Sequence, residues 1–424
     1  MPIIKNFLEN PFVLNYNIPD EYFCDRKNET EKIISLLTNG NNIVLAAPRQ
    51  IGKSSLLFHV LKQKEVKDQY NTVYVDLYGT SNINELVRQL SQGLKKAGLA
   101  KGENRLRKIT EAIPEINIYG KLAAGPVDTE LGAQFKIKIE QTLDKIFDYL
   151  EKTSKPNIIV FDEFQRIEEY NVPMAAILRT RIQAMNNTRF VFSGSQQHML
   201  EAMFKKENKP FYKAARPVRL DIIPEEAYSE FCKRMFENRK KRISDNAIHF
   251  AYSLLGIKTK DIQELMNGTF KYTRNGECAS IEKVRNTLEE ILEDNDEYYT
   301  RLLTNVDPIG NKKRTEKEKN LLICLGCEGL ATKIMGAEMI DKYYLGTSST
   351  IQTSLKRLSS GKEPVVINLG ENTYKLADRF FELWIANKCG LLTQKYNDAE
   401  KQFEAERNLR QKDSFQKIIR TPKL

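Results

Sequence analysis

The sequence is short of cysteine, histidine and tryptophan, with six, three and one of them among 424 residues. Six scattered cysteines are too few to staple a chain of this length, so we expect a reducing compartment, the cytoplasm. Cys324 and Cys327 form a CxxC, but no second Cys or His pair completes a zinc site. Packing is therefore the expected role of both. The three histidines show no ligand spacing either.

Long apolar runs are also missing. No stretch approaches the roughly 20 apolar residues that are needed to span a bilayer. Residues 1–12 include Lys5 and Glu9 and have no continuous apolar region, so they do not resemble a signal peptide. The sequence thus predicts a protein without a membrane partner.

What the chain has in excess is positive charge. It contains 66 Lys and Arg residues against 56 Asp and Glu residues, a net charge of +10. This balance is compatible with an anionic partner but does not identify one. Basic residues are concentrated at 239–242, at 312–314 and after Arg407. Solvated helix faces or linkers are the alternative interpretation of each group.

Short β-branched and apolar runs alternate with helical patterns through the first half of the chain, which is typical of a parallel sheet wound with helices. The sequence therefore predicts an α/β core over 1–222, with a β-hairpin insertion near 113–138 where apolar residues alternate. The five predicted core strands lie at 42–46, 72–77, 157–162, 189–193 and 217–220.

After Pro224 the strand signals stop. Consecutive helical patterns predict a helical subdomain over 223–300, followed by a polar, basic linker at 301–314. Three helices and a hairpin then predict a winged-helix domain over 315–390. Residues 391–424 are predicted to form a helical basic tail.

A candidate phosphate-binding turn follows the first core strand. The pattern GxxxxGK[ST] after a strand marks a P-loop. Here the turn consists of Ala47, Pro48, Arg49, Gln50, Ile51, Gly52, Lys53, Ser54 and Ser55. Ala47 replaces the first glycine but removes no donor, because the backbone amides of the turn and of the next helix hold the phosphate. Lys53 is predicted to reach the β- and γ-phosphates, and Ser54 to bind Mg²⁺.

The third core strand ends in two acids, Asp162 and Glu163. Buried acids at a strand end are costly unless they serve a cation or a proton transfer. We expect Asp162 to complete the Mg²⁺ site and Glu163 to act as general base on water. Solvated acids are the alternative. No Asn-Lys-x-Asp motif for reading guanine is present, so ATP, with ADP as its product, is the expected nucleotide.

Further candidates surround this pair of motifs. Ser193 or Ser195, at the end of the fourth strand, is predicted to sense the γ-phosphate, with a helix N-cap as the alternative role. One of Arg179, Arg181 and Arg216 is predicted to stabilise the transferred phosphoryl group, from this chain or from a neighbouring subunit. The sequence does not choose among these three arginines.

Taken together, the motifs resemble the archaeal-type ATPases of the AAA and STAND branch, which are also widespread in bacteria. The segments that carry the resemblance are 23–29, 48–56, 161–165, 193–195, 210–212 and 374–384. The resemblance covers nearly the whole chain. It implies an AAA-like core, a helical lid and a C-terminal winged helix, and it implies that Asp25 and Arg26 lie against the adenine.

The chain departs from that family pattern at two places. One is Ala47. The other is the lid motif, usually written Gly-x-Pro, which is Gly256-Ile257-Lys258 here. Lys258 or Lys260 is a candidate cationic sensor in place of the missing contact, and a solvated helix start is the alternative.

The third helix of a winged-helix domain reads DNA when it presents polar and basic side chains to the major groove. In the predicted helix 348–358, Gln352, Thr353 and Lys356 fall on one face, and Arg357 beside them suits a phosphate contact. Residues 315–376 contain eight basic and seven acidic residues, a small excess for a DNA reader. Three hypotheses remain open. The protein is a switch that conveys its nucleotide state to duplex DNA, or a regulatory ATPase that acts through protein partners or self-association. The third is a nucleotide-binding protein without turnover.

Overall fold

A computed structural model of the protein describes residues 8–99, 130–256, 258–306, 312–361 and 363–401. The chain divides into two compact units. The first is Asn15–Ile223, and the second joins the chain from Pro224 onward with the N-terminal arm 8–14. Within the described ranges, no helix combines the length and the apolar character that a bilayer crossing requires.

The first unit is built on five parallel strands in the order β2-β3-β4-β1-β5. The strands are β1 Ile43–Ala46, β2 Asn71–Asp76, β3 Asn157–Asp162, β4 Thr188–Gly194 and β5 Arg216–Val218. The predicted α/β fold with a parallel sheet is confirmed, and β4 separates the acidic strand β3 from β1. Parallel strands end at the same edge of the sheet, so the carboxyl ends of β1, β3 and β4 come together.

Helices cover both faces of this sheet. They are α1 Lys27–Thr38, α2 Lys53–Lys62, α3 Lys64–Lys67, α4 Ile83–Lys96, α5 Glu130–Glu151, α6 Met174–Gln183 and α7 Gln197–Lys205. Alternate strand residues enter two separate cores: Ile158 and Val160 pack with α1 and α2, whereas Ile159 and Phe161 pack with α4 to α7. Because both faces are buried, the strands appear in the sequence as continuous apolar runs.

The predicted β-hairpin near 113–138 is wrong in its second half, because α5 begins at Glu130. The alternation Phe135, Ile137, Ile139 suggested a strand, but it is short and runs into the helical spacing of Leu143, Ile146, Phe147 and Leu150. Helix growth is cooperative once a turn has formed, so the longer pattern decides the conformation. The first half of the predicted hairpin, at 115–122, lies outside the described residues.

The second unit begins with five helices: α8 Glu225–Glu237, α9 Asp245–Leu255, α10 Thr259–Tyr272, α11 Ile281–Asp294 and α12 Asp296–Thr304. Two short parallel strands, β6 Arg242–Ile243 and β7 Cys278–Ala279, were not predicted. The arm 8–14 belongs to this unit, which differs from its expected place in the first domain. Phe12 is fully buried, with its ring 5.6 Å from that of Phe236 and 5.9 Å from that of Phe270.

The winged-helix elements follow in the same unit. They are α13 Glu316–Glu328, α14 Ala337–Tyr343, α15 Ser348–Leu358, β8 Val366–Gly370, β9 Thr373–Leu376 and α16 Arg379–Lys388. Strands β8 and β9 form the predicted hairpin, which is antiparallel. An isolated antiparallel bridge joins Ala331 to Tyr374 of β9. Thr315 and Glu318 form a capping box at the start of α13, which fixes where this helix begins. Residues 392–401 are helical, and the rest of the predicted basic tail lies outside the described residues.

Candidate active site

The predicted P-loop connects β1 to α2, which starts at Lys53. Gly52 has φ of 88° and Gln50 has φ of 67°, so the turn uses the left-handed conformation at two positions. Ala47 is not one of them. Its backbone N–H donates to the carbonyl of Gly194 at 3.3 Å, and its methyl group is buried in the core beside α1 and α2. Alanine therefore fits where the pattern has glycine.

Arg26 supports this turn from inside the unit. Its side chain is buried, donates to the Ile51 carbonyl at 3.2 Å and forms an ion pair with Glu29 at 2.8 Å. Of the two residues expected to lie against the adenine, Arg26 is thus engaged with the P-loop backbone, whereas Asp25 is exposed.

Ser54 and Asp162 meet at the carboxyl edge of the sheet. The Ser54 hydroxyl donates to Asp162 Oδ2 at 2.8 Å. The Tyr74 hydroxyl, from β2, donates to the same oxygen. Burial, and then the charge of Asp162, raise the pKa of Tyr74 far above its ordinary value, so the hydroxyl stays protonated and remains a donor. The two residues predicted to bind Mg²⁺ are therefore adjacent, with a tyrosine fixing the carboxylate.

Tyr74 and Asp76 of β2 were not predicted as site residues. Asp76 is the register partner of Asp162 on the neighbouring strand. Burial raises the pKa of the Asp76 carboxyl, and the charges of Asp162 and Glu163 raise it further. The available signal was that β2, like β3, ends in an acid.

Glu163 lies at the centre of a set of donors. Its Oε2 accepts from the Ser195 hydroxyl at 2.8 Å, from the Ser195 backbone N–H at 3.3 Å and from Gln165 Nε2 at 2.5 Å. Its Oε1 lies 3.7 Å from Lys53 Nζ. The backbone of Glu163 is left-handed, with φ of 54°, which turns this side chain out of the strand.

The structure distinguishes between the two serine candidates. Ser193 is fully buried within β4, and its hydroxyl has no hydrogen-bond partner among the described residues. Ser195 follows the end of β4, contacts Glu163 and accepts a hydrogen bond from Arg49 Nε at 3.2 Å. The hydroxyl beside the acidic pair is thus that of Ser195 and not that of Ser193.

The three arginine candidates have different surroundings. Arg216 lies opposite Ile43, the first residue of β1, and so at the amino edge of the sheet. It cannot serve the phosphates of its own unit, and the alternative that it acts from a neighbouring subunit stays a prediction. Arg181 is paired with Asp144 at 2.6 Å. Arg179 is half-buried in α6, and desolvation lowers its pKa.

In the winged helix, Gln352, Thr353 and Lys356 are exposed on α15, as predicted for a reading face. Arg357 is different, because its guanidinium lies 3.1 Å from the buried carboxylate of Glu318. The expected phosphate contact of Arg357 therefore competes with an internal ion pair.

Lys258, one of the two candidate lid sensors, donates to the Ala377 carbonyl within the same unit.

A parallel sheet in this order, with a P-loop on β1 and an acidic pair at the end of β3, defines a P-loop nucleoside triphosphatase. The chain belongs to the family described as the ATPase domain predominantly from Archaea, which matches residues 23–265, more than half of its length. A second family, described as a probable winged helix domain, matches residues 311–387.

Individual relatives are distant. An uncharacterized ATP-binding protein of Methanocaldococcus jannaschii is 23% identical over 161 residues, which cover 35% of this chain and 45% of that protein. The chain thus spans less than half the length of this curated relative. The structure of a Walker-type ATPase of Pyrococcus abyssi has a TM-score of 0.57 at 18% identity, over 88% of this chain and 99% of the other. The structure of the ORC2 protein of Aeropyrum pernix, in ADPNP and ADP complexes, has a TM-score of 0.54 at 14% identity, over 93% of this chain and 98% of the other. These likenesses show a shared fold.

Proposed function

We propose that this protein binds and hydrolyses Mg-ATP and couples its nucleotide state to the winged helix. The observation that carries this proposal is the convergence of Lys53, Ser54, Asp162 and Glu163 at one edge of the sheet. These residues supply a cation for phosphate, two oxygen ligands and a general base. The family to which the chain belongs supports ATP as the nucleotide.

The donor set at Ser54 and Asp162 fits Mg²⁺, which prefers oxygen ligands and is usually bound through one or two carboxylates together with substrate phosphates. Their oxygens lie 2.8 Å apart, so both face the same point. When bound, Mg²⁺ supplies charge neutralisation at the phosphates. Tyr74 would keep the Asp162 carboxylate turned toward that point, because it holds Oδ2 from the side of β2.

Lys53 and Glu163 would exchange partners when ATP binds. The ammonium of Lys53 faces Glu163 Oε1 at 3.7 Å. The phosphates of ATP are the stronger attraction for an ammonium at the helix N-terminus of a P-loop. Glu163 would then accept the proton of the attacking water, while Arg26 holds the turn and Asp25 contributes to the nucleotide surface.

Duplex DNA is the partner that the exposed face of Gln352, Thr353 and Lys356 supports. A protein partner, or a second copy of the chain, is the other candidate. It is favoured by the internal pairing of Arg357 and by three exposed apolar side chains of the winged helix, Leu330, Tyr344 and Leu369.

The test measures ATP affinity, phosphate release and particle mass for the wild type and Lys53→Ala, each with and without duplex DNA. We expect Lys53→Ala to lose phosphate release and most ATP affinity. Wild-type affinity and release in Lys53→Ala would contradict the nucleotide site. DNA affinity is measured between roughly 50 and 200 mM salt for the wild type and Lys356→Ala. A steep salt dependence that weakens in Lys356→Ala supports DNA, and its absence together with a change of particle mass supports a protein partner.

A further inference from the structure

We infer that Gln165 is a positioning residue for Glu163, and that residue 194 is glycine because the Gln165 amide occupies the space of its side chain. This inference rests on the proposed function, in which Glu163 is the general base. It assigns the anchoring of that base to a residue of the 3₁₀ turn Phe164–Glu169, which directly follows it.

The contact that defines this role is between the Gln165 amide and the Glu163 carboxylate. Gln165 is 1% exposed, and its Nε2 donates to Glu163 Oε2. The opposite orientation of the amide would place its carbonyl oxygen against a carboxylate oxygen, which offers no donor. The carboxylate therefore dictates which end of the amide faces it.

Gly194 shows that this position of the amide is built into the sheet. A Cβ on Gly194 would lie 2.0 Å from Gln165 Oε1 and 3.1 Å from a methyl carbon of Leu200. The backbone of Gly194 is not left-handed, so conformation does not require glycine at this position. Space for the amide does. The carbonyl of Gly194 also accepts from the Ala47 N–H, so the same residue joins the P-loop to the Gln165 site.

The other end of the amide supports the same conclusion. Gln165 Oε1 is buried and has no hydrogen-bond partner among the described residues. A buried acceptor without a partner is unfavourable, so a glutamine chosen only for stability would satisfy both ends. Here one end is left without a partner while the other holds Glu163.

The two oxygens of Glu163 therefore have different roles. Oε2 is anchored by Gln165 and Ser195, whereas Oε1 faces Lys53. Once the phosphates attract Lys53, Oε1 is the oxygen that receives the proton from water. Its position is set by the anchored Oε2, and a displacement of about 1 Å in such a group can lower a rate by about 100-fold.

The test compares kcat, KM and ATP affinity for the wild type, Gln165→Met and Gly194→Ala. Methionine keeps the length without the donor, and alanine displaces the amide. We expect kcat to fall about 10-fold or more in each variant, with KM and the dissociation constant of ATP within about 2-fold of the wild type. Gln183→Met, at the exposed end of α6, is the matched control and should behave as the wild type.

The double variant of Gln165→Met and Gly194→Ala separates positioning from general damage. Both substitutions act through the same amide, so the double variant should be no slower than the slower single variant. Unchanged kcat in Gln165→Met, or a changed ATP affinity with unchanged kcat, would overturn the inference. Glu163→Gln serves as the reference for the proposed function. If it hydrolyses ATP at the wild-type rate, the base assignment itself fails, whereas an inactive Glu163→Gln with a fully active Gln165→Met refutes only the role of Gln165.

Discussion

Tyr74 and Ser54 hold the same oxygen of Asp162, one from β2 and the other from the first turn of α2. The carboxylate is thereby fixed from two elements that are separate in the sequence. Its remaining oxygen accepts from the Glu163 backbone N–H at 3.0 Å. The orientation of the predicted metal ligand is therefore set by three donors.

Replacing Tyr74 by Phe removes one of these donors and keeps the ring, which packs 4.4 Å from the ring of Phe58. Groups that orient a metal ligand are worth about 10- to 100-fold in metal affinity, so we expect Tyr74→Phe to bind Mg²⁺ more weakly. ATP binding by the variant should then need a higher Mg²⁺ concentration than in the wild type. Calorimetric titration of ATP at several Mg²⁺ concentrations measures this effect. Tyr70→Phe is the control. Equal Mg²⁺ dependence in Tyr74→Phe and the wild type would show that the tyrosine has no such role.

Arg26→Ala is expected to weaken the P-loop and the first unit together. The substitution leaves the Ile51 carbonyl without its donor and Glu29 without its cation. The free energy of unfolding should fall by about 2 kcal/mol, since hydrogen bonds to charged groups contribute about that much. Denaturant unfolding measures the loss, and nucleotide titration should show reduced affinity in the folded protein. Lys27→Ala, whose side chain is exposed, should change neither quantity.

Asp261 is expected to make the stability of the second unit depend on pH. Burial raises the pKa of its carboxyl from 3.8 to about 6, although Lys258 opposes the shift. Between about pH 4 and pH 6 the folded protein keeps a proton that the unfolded chain has lost, so the free energy of unfolding falls as pH rises. Asp378 and Glu264 face the same carboxyl and add to the effect.

Asp261→Asn should remove this dependence, because asparagine has the same shape and no charge. Above pH 6 we expect the variant to be more stable than the wild type, by up to about 3 kcal/mol. Below about pH 4 the two proteins should be equally stable. Unfolding curves at several pH values test this expectation, and a constant difference across the whole range would contradict it.

Arg357 and Lys356 are neighbours on α15, and replacing each by alanine is expected to affect stability differently. Arg357→Ala leaves the buried Glu318 without its cation, so it should lower the stability of the second unit. Lys356 is exposed, so Lys356→Ala should leave stability within about 0.5 kcal/mol of the wild type and act only on a bound partner. Thermal unfolding of both variants separates the roles. Loss of stability in Lys356→Ala alone would reverse the assignment.

Much of the site could be predicted because its motifs are local. The strand before Ala47 and the acids after Phe161 are each recognisable within ten residues, and the edge rule for parallel strands brings them together. The same rule could have excluded Arg216 as a cation for the phosphates of its own unit, because Arg216 stands at the start of a strand and not at its end. Ser193 and Ser195 are two residues apart, so in an extended strand both would point to the same face. Only the observed end of β4 at Gly194 distinguishes them.

Other parts depended on the order of strands and helices, which local patterns do not contain. Tyr74 reaches Asp162 because β2 lies beside β3. Arg357 reaches Glu318 because α15 packs on α13, and the arm 8–14 belongs to the second unit because Phe12 is buried there. Each of these contacts joins residues that are far apart in the chain. Sequence periodicity identifies which face is buried but not what covers it.

The most direct test of the account is the rate of ATP hydrolysis by Glu163→Gln, measured together with its ATP affinity. Glutamine keeps the size of Glu163 and cannot accept the proton of the attacking water. We predict that the variant binds ATP at least as tightly as the wild type and hydrolyses it at least about 100-fold more slowly. Hydrolysis at the wild-type rate by Glu163→Gln would contradict the account.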